Sequence, residues 1–193
     1  MSARHIKQSS AVPEEKAAPS WVATLYEYVE SFLTAMILLV LLFTFLFRVA
    51  GVKGTSMQPN LQQQDRLILQ VHFYKPQYAD IVVINRYTDE PLIKRVVGLP
   101  GDTIRIDPAT ETVYRNGEPL TETYTPYSTA PRELTGEVTV PEGHLFVMGD
   151  NRPVSKDSRY ADIGMIRQAD VVGKAIFRIS PLSSFGGLYS DVE

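Results

Sequence analysis

An uninterrupted apolar run near the N-terminus limits what this chain can fold into more than any other feature. Between Glu30 and Arg48 lie about 17 uncharged residues, SFLTAMILLVLLFTFLF. At 1.5 Å per residue, a helix of this length is at the lower limit for crossing about 30 Å of hydrocarbon. It reaches further if Arg48 snorkels to the surface and Val49 to Val52 continue the run.

Two other interpretations of the run compete with a membrane anchor. A cleaved signal peptide has a shorter apolar core and small residues at its exit, whereas Arg48 stands three residues before Gly51 and no good A-x-A site follows. A buried helix of a soluble protein would have to be apolar on almost every face. We therefore predict a single membrane anchor over residues 21–52, preceded by a loose polar tail over residues 1–20.

Composition excludes several classes of function. The net charge of −3 argues against a nucleic-acid partner, which needs a basic face. The chain has no cysteine, so a disulfide framework, a thiolate metal site and a cysteine nucleophile are excluded. The segment DNRPVSKDS lacks the glycine of a calcium loop. We predict no metal and no cofactor.

The chain after Val52 has the texture of a β protein. Short segments rich in Ile, Val and Tyr alternate with turn signals, and no helical period lies between them. In DTIRID, Ile104 and Ile106 share one face, and Asn116-Gly117 is a hairpin turn signal. The fold class predicted is mainly β, an antiparallel sandwich or barrel-like domain over residues 53–182. Residues 120–137 are predicted to be a surface loop, and residues 183–193 a loose tail.

Ser56, in GTSMQPNL just after the apolar run, is a candidate nucleophile if something takes its proton. Histidine is the usual base, but His5 lies in the tail, and His72 and His144 have ordinary structural surroundings in the sequence. A G-x-S-x-G elbow is absent. Histidine therefore gives no clear partner for Ser56.

Lys94, in PLIKRVVGLPGD, is the alternative base. If this segment is a strand, Lys94 shares a face with Leu92 and Val96, while Arg95 points the other way. A lysine directed at an apolar interior loses hydration, and its pKa falls. Most lysines on strands are solvated or protect an edge, so the spacing alone leaves both interpretations open.

Taken together, the segments resemble the bacterial type I signal peptidases. The apolar anchor is followed in order by GTSMQPNL, ADIVVI, KRVVGLPGD and GDNRPVSKDSR, and the resemblance runs from about Tyr26 to GKAIFRISPL. The short interval between Asp102 and Gly149 is similar to that of the compact members, often from Gram-positive bacteria.

The resemblance implies roles for particular residues. Ser56 matches the nucleophile and Lys94 the general base, while Ser155 matches the serine that orients the lysine. Asp157 and Arg159 match a supporting ion pair. Met57 and Pro59 match the segment that shapes the turn of the nucleophile and contacts substrate.

Two single positions and one loop depart from the family pattern. Gly54 stands where some members carry a serine that helps to bind the oxyanion, so the oxyanion hole here must rely on backbone N–H groups such as that of Ser56. Ala79 replaces a glycine in GDIVV. Tyr160 to Ile163 lengthen the loop after DSR, where the family usually has two residues before the next glycine, so local substrate contacts are expected to differ.

The implied function is a membrane-bound serine endopeptidase that removes signal peptides from exported preproteins by way of an acyl-enzyme. Its partners would be preproteins and the lipid bilayer, and it would be a single-pass protein of the cell membrane with a cytoplasmic N-terminus and an extracellular catalytic domain. The positive-inside rule points weakly the other way, since Lys16 precedes the run while Arg48, Lys53 and Arg66 follow it. Two rivals are a non-catalytic, membrane-tethered β-domain and a self-cleaving repressor with a Ser–Lys pair.

Overall fold

The structure, a computed structural model, describes residues 20–85 and 90–189. Most of the predicted N-terminal tail, residues 1–19, and the last part of the predicted C-terminal tail, residues 190–193, lie outside the described residues. The chain divides into two compact units, Met1–Leu42 and Phe43–Glu193.

One long helix, α1, occupies Ser20–Leu46. Its 27 residues correspond to about 40 Å, more than the hydrocarbon thickness of a bilayer. Among the residues that the structure describes, this is the one helix long and apolar enough to cross a membrane, with a mean hydropathy of 2.3 over its most apolar stretch. That stretch is 0% buried, which disfavours the buried soluble helix considered above.

The helix ends earlier than residue 52, where the anchor was predicted to end. Residues Phe47–Gly51 form strand β1, which pairs along its whole length with the next strand. If the helix continued through this segment, the hydrogen bonds between β1 and β2 would be lost. Val49 is therefore part of a strand and not of the membrane helix.

The rest of the chain is made of short strands and two short 3₁₀ helices. The strands are β1 Phe47–Gly51, β2 Arg66–Gln70, β3 Ile81–Ile84, β4 Leu92–Gly98, β5 Thr103–Ile106, β6 Val113–Arg115, β7 Glu118–Pro119, β8 Glu137–Thr139, β9 His144–Met148, β10 Ile166–Arg167, β11 Val171–Ser180 and β12 Gly186–Gly187. The 3₁₀ helices are Gln168–Asp170 and Leu182–Ser184.

The strands form two antiparallel sheets. The larger has the order β1-β2-β11-β3-β4-β9-β10, with β12 added to β11, and the smaller has the order β7-β6-β5-β8. Every pairing is antiparallel. The predicted fold class, mainly β and antiparallel behind one N-terminal apolar helix, is confirmed.

Local patterns in the small sheet follow the sequence. Ile104 and Ile106 of β5 are buried, while Thr103 and Arg105, which alternate with them, are half-exposed. The turn between β6 and β7 places Asn116 and Gly117 at φ of 55° and 83°, the left-handed values that a two-residue hairpin requires.

Two segments differ from their predicted character. The 120–137 loop buries Tyr124 and Thr129 almost completely, although a surface loop was predicted. In the predicted loose tail, Gly186–Gly187 pairs with β11, and the Tyr189 hydroxyl donates to the carbonyl of Ala175. Residues up to 189 therefore belong to the packed domain, because their backbone and phenol groups find partners there.

Candidate active site

Ser56 lies in a tight turn between β1 and β2. Gly54 adopts a φ of 77°, and the turn closes through hydrogen bonds from Gln58 N–H to Thr55 O and from Leu61 N–H to Met57 O. Met57 and Leu61 are buried in the core beneath the turn. These two apolar anchors fix the loop, so Ser56 is held half-buried at the surface of the domain.

Lys94 occupies the middle of β4, where it pairs with Val82 of β3. Only 3% of the residue is exposed. Its Nζ atom lies 2.8 Å from the Oγ atom of Ser56, within hydrogen-bond distance. The structure thus brings together the two residues that matched the nucleophile and the base.

Burial is the main cause of the low basicity of this amine. Loss of hydration lowers the pKa of Lys94 to about 8, from 10.5 for a free lysine. Asp157 and Asp150 act in the opposite direction, while the guanidinium of Arg159 lowers the pKa further. The effect of burial exceeds that of the carboxylates, so a substantial fraction of the amine is neutral near neutral pH.

Ser155, which matched the serine that orients the lysine, is buried beside the pair. Its Oγ atom accepts from the N–H of Gly149 at 3.1 Å, and its hydroxyl is one of the groups that lower the pKa of Asp157. Among the described residues, the Lys94 amine hydrogen-bonds Ser56 and makes no hydrogen bond to Ser155.

Asp157 and Arg159 form a two-point ion pair with no exposed side-chain surface. Arg159 Nε lies 2.8 Å from Oδ1 and Nη2 lies 2.9 Å from Oδ2. Burial opposes ionisation of Asp157, but the guanidinium and the hydrogen bonds from Ser155 and Gly149 outweigh it, and the pKa of Asp157 lies below its ordinary value. The carboxylate therefore stays charged beside the lysine.

Gly149 packs between the backbone of Ser56 and the side chain of Ser155. A Cβ atom built on it would lie 2.4 Å from the carbonyl oxygen of Ser56 and 2.3 Å from Oγ of Ser155. Asn151, two residues on, donates from its backbone N–H to the same Ser56 carbonyl at 2.9 Å and from its side chain to Thr55 O. The Gly149–Asn151 turn thus holds the backbone of the serine in place.

A second buried ion pair supports that turn. Arg95, next to Lys94 in β4, binds both oxygens of Asp150 at 2.8 and 2.7 Å, and both side chains are buried. The guanidinium also lies 4.2 Å from the ring centre of Tyr124. Asp150 was within the quoted GDNRPVSKDSR motif, but its partner was not predicted, because an ion pair between distant segments leaves no local pattern.

The remaining candidates fall in different places. Met57 is part of the core, so it shapes the turn from below, whereas Pro59 is exposed. The ring of His72 stacks on Phe45, and Nδ1 of His144 lies 3.0 Å from the carbonyl of Glu142. His5 lies outside the described residues. Within the described ranges, no cluster of three or more His, Cys, Asp and Glu side chains could hold a metal.

An open groove of about 450 Å³ borders β1, the edge strand of the large sheet. Its lining is mostly apolar, with Ala50, Leu69, Val83 and Ile93 among the contributing residues. The groove extends to Lys53, three residues before Ser56, so it follows the strand that leads into the Ser56 turn.

A serine hydroxyl that accepts a hydrogen bond from a desolvated lysine, on an antiparallel β domain, is the arrangement of a serine hydrolase with an amine base. Residues 25–180 match the family model described as signal peptidase, peptidase S26. The chain belongs to this family of serine peptidases, and the resemblance drawn from its motifs is confirmed. The match separates it from the self-cleaving repressors considered above.

The chain is similar to several named proteins. The chain is 36% identical to a probable signal peptidase I of Synechocystis sp., over 85% of this chain and 87% of the relative. It is 37% identical to a signal peptidase I of Bacillus licheniformis, over 83% and 91% of the two chains. A solved signal peptidase I from Enterococcus faecalis is 34% identical, with a TM-score of 0.42, over 52% of this chain and 97% of that one.

Proposed function

We propose that this enzyme cleaves signal peptides from preproteins with Ser56 as nucleophile and Lys94 as general base. The observation that carries the proposal is the 2.8 Å contact between Lys94 Nζ and Ser56 Oγ, made by an amine that is only 3% exposed. A base must lie within hydrogen-bond reach of the proton it removes and must be partly unprotonated at the working pH. The geometry and the burial of Lys94 support both conditions.

The lowered pKa has a quantitative consequence. With a pKa of about 8, about a tenth of the Lys94 amine is neutral at pH 7. A lysine at the ordinary value of 10.5 would be neutral in about one molecule in 3,000. Burial therefore raises the concentration of the reactive form by about 300-fold.

The reaction proceeds in two balanced steps. Neutral Lys94 takes the hydroxyl proton as Ser56 Oγ bonds to the carbonyl carbon that ends the signal peptide. The resulting ammonium gives that proton to the amine of the mature protein as the peptide bond breaks, which leaves the signal peptide esterified to Ser56. Lys94 then deprotonates a water molecule, which attacks the ester, and the proton returns to Ser56 as the signal peptide leaves.

Backbone donors are proposed to bind the oxyanion that forms during each attack. In the described part of the chain, the N–H of Ser56 donates to no protein acceptor, so it is free to serve a substrate. The neighbouring Gly54 has no side chain that could supply a second donor. The side chain of Asn151 supports this role, because it donates to the Thr55 carbonyl, which lies in the same peptide plane as the Ser56 N–H.

The groove beside β1 is the proposed site for the substrate residues before the cut. An extended peptide could pair with the free edge of β1 through backbone hydrogen bonds and place small side chains against Ala50, Leu69, Val83 and Ile93. We propose that this apolar lining accepts small residues such as alanine, which is the pattern at signal-peptide exits.

The proposed location is the cell membrane, with α1 spanning the bilayer once. The length, apolar character and exposure of α1 support the span. The proposed function requires the N-terminus to be cytoplasmic and the catalytic domain to be outside, because signal peptides emerge on that face. Tethering enzyme and preprotein in one bilayer raises their effective concentration.

Processing of a purified preprotein by the full chain in detergent tests the proposal. Ser56→Ala and Lys94→Ala should each reduce the rate by about 10³-fold or more, within the range for loss of nucleophile or base. His144→Ala is the control and should keep near wild-type activity. If Lys94→Ala also keeps it, the assignment of the base is wrong, and if none of the variants or the wild type cleaves, the chain is a non-catalytic member.

A further inference from the structure

A short acidic-aromatic segment of the β7–β8 loop, residues 122–125, makes polar contacts with the active-site turn. Both carboxylate oxygens of Glu122 bind the guanidinium of Arg152, at 2.8 and 2.5 Å. The side chains of this pair are 1% and 10% exposed, for Arg152 and Glu122 respectively. Because a buried cation needs an ion-pair partner, this loop stabilises Arg152 as well as connecting two strands.

Arg152 transmits this contact to the catalytic groups. Its Nε donates to the carbonyl of Gly149 at 3.0 Å, and its own carbonyl accepts from Nη2 of Arg159 at 2.9 Å. Gly149 is the glycine packed between Ser56 and Ser155, and Arg159 is the partner of Asp157. Arg152 thus bridges the turn that holds the nucleophile and the ion pair that faces the lysine.

The same segment holds the nucleophile turn from a second direction. The Tyr124 hydroxyl donates to Glu122 at 2.6 Å, and the Tyr124 carbonyl accepts from the side chain of Asn60 at 2.6 Å. Thr125 donates to the carbonyl of Asp150 at 2.7 Å, and Asn60 also donates to the Asp150 carboxylate at 2.7 Å. The segment therefore contacts both the chain after Ser56, at Asn60, and the Gly149–Asn151 turn, at Asp150.

We propose that Glu122 is a positioning residue for signal-peptide cleavage, which acts through Arg152 to hold the Gly149–Asn151 turn against Ser56. The inference rests on the proposed function of Ser56 and Lys94. It assigns a catalytic consequence to a loop outside the motifs from which the resemblance was drawn.

Charge, as well as shape, makes Glu122 important. Without the carboxylate of Glu122, Arg152 is a buried cation lacking its ion-pair partner. Asp150 already interacts electrostatically with Arg152. A displaced guanidinium would compete for Asp150 with Arg95, and would pull the Gly149 carbonyl with it.

The lysine would respond to this change. The charged groups that act on Lys94 are Asp157, Arg159 and Asp150. If Asp150 moves towards Arg152, its stabilisation of the Lys94 ammonium becomes weaker and the pKa of Lys94 falls. The ascending limb of the pH–rate profile should therefore move to lower pH.

Glu122→Gln, which keeps the shape and removes the charge, is the test variant, and Glu118→Gln, on exposed β7, is its matched control. In preprotein processing by the full chain in detergent, we expect Glu122→Gln to lower kcat by 10- to 100-fold with KM changed less than 2-fold, and to shift the ascending limb to lower pH. Glu122→Asp should recover part of kcat. Glu118→Gln should match wild type in all three measurements.

A double-variant cycle with Arg152→Lys tests the route. Because Glu122 acts through Arg152, the combined loss in kcat should be clearly smaller than the product of the two single losses. Circular dichroism confirms that each variant is folded at the assay temperature. If folded Glu122→Gln has wild-type kcat and pH profile while Ser56→Ala is inactive, this inference is wrong and the proposed function stands; if Ser56→Ala is active, the proposed function itself fails.

Discussion

Replacing Lys94 by methionine should stabilise the protein while it abolishes activity. The amine is 3% exposed, and its pKa falls from 10.5 in a free chain to about 8 in the fold. Below pH 8 the folded state carries the whole cost of keeping this ammonium out of water, and the cost disappears as the pH rises towards 10.5. Methionine has a similar length and no charge, so it removes the cost at every pH.

The size of the effect follows from the shift. At 1.36 kcal/mol per pH unit, the cost is about 3 kcal/mol at pH 7 and about 1 kcal/mol at pH 10. The lost hydrogen bond to Ser56 subtracts about 1 kcal/mol, because that serine is half-buried and water can replace the amine. Lys94→Met should therefore raise the free energy of unfolding by about 2 kcal/mol at pH 7, with no gain left at pH 10.

Urea unfolding of the full chain in a non-ionic detergent measures this. The only tryptophan, Trp21, lies in α1, so the near-ultraviolet circular dichroism of the tyrosines is the better probe of the β domain. Lys53→Met, at an exposed lysine, is the control and should show little change and no such trend with pH. A Lys94→Met protein less stable than wild type at pH 7, or a gain equal at pH 7 and pH 10, would refute the desolvation argument.

Two further substitutions test the surroundings of the pair. Gly149→Ala should lower processing by at least about 100-fold, because its methyl group would lie 2.4 Å from the backbone oxygen of Ser56; near wild-type processing would mean that this packing does not position the serine. Asp157→Asn should move the ascending limb of the pH–rate profile to lower pH, because Asp157 is the carboxylate that most favours the charged form of Lys94. It should also cost about 3–5 kcal/mol of stability, measured by urea unfolding, by leaving Arg159 buried without its partner; an unmoved limb in a folded variant would contradict the electrostatic account.

Local patterns in the sequence predicted much of the fold because their physics is local. The apolar run predicts α1, alternation in β5 predicts its buried face, and Asn116-Gly117 predicts a left-handed turn. The end of α1 was missed because a run of apolar residues reads the same in a membrane helix and in a strand. Only pairing of Phe47–Gly51 with β2 distinguishes them.

The sequence predicted the candidate residues of the site but not the contacts between them, because those contacts join distant segments. A lysine on an apolar strand face is visible in the sequence, but its distance from Ser56 is set by how β4 lies against the turn after β1. The resemblance to the signal peptidases supplied that link, and the 2.8 Å contact agrees with it. The Glu122–Arg152 and Arg95–Asp150 pairs join residues that are 30 and 55 positions apart, so no local sequence pattern predicts them.

The most direct measurement of the central claim is the pKa of Lys94 itself, beside the pH dependence of cleavage. An NMR titration of lysine-labelled full chain in detergent, with Lys94→Met to assign the signal, should give a pKa of about 8. The rate of preprotein cleavage should rise with pH through the same value. A Lys94 amine that titrates near 10.5, or cleavage that rises at a clearly different pH, would contradict a neutral lysine as the base for Ser56.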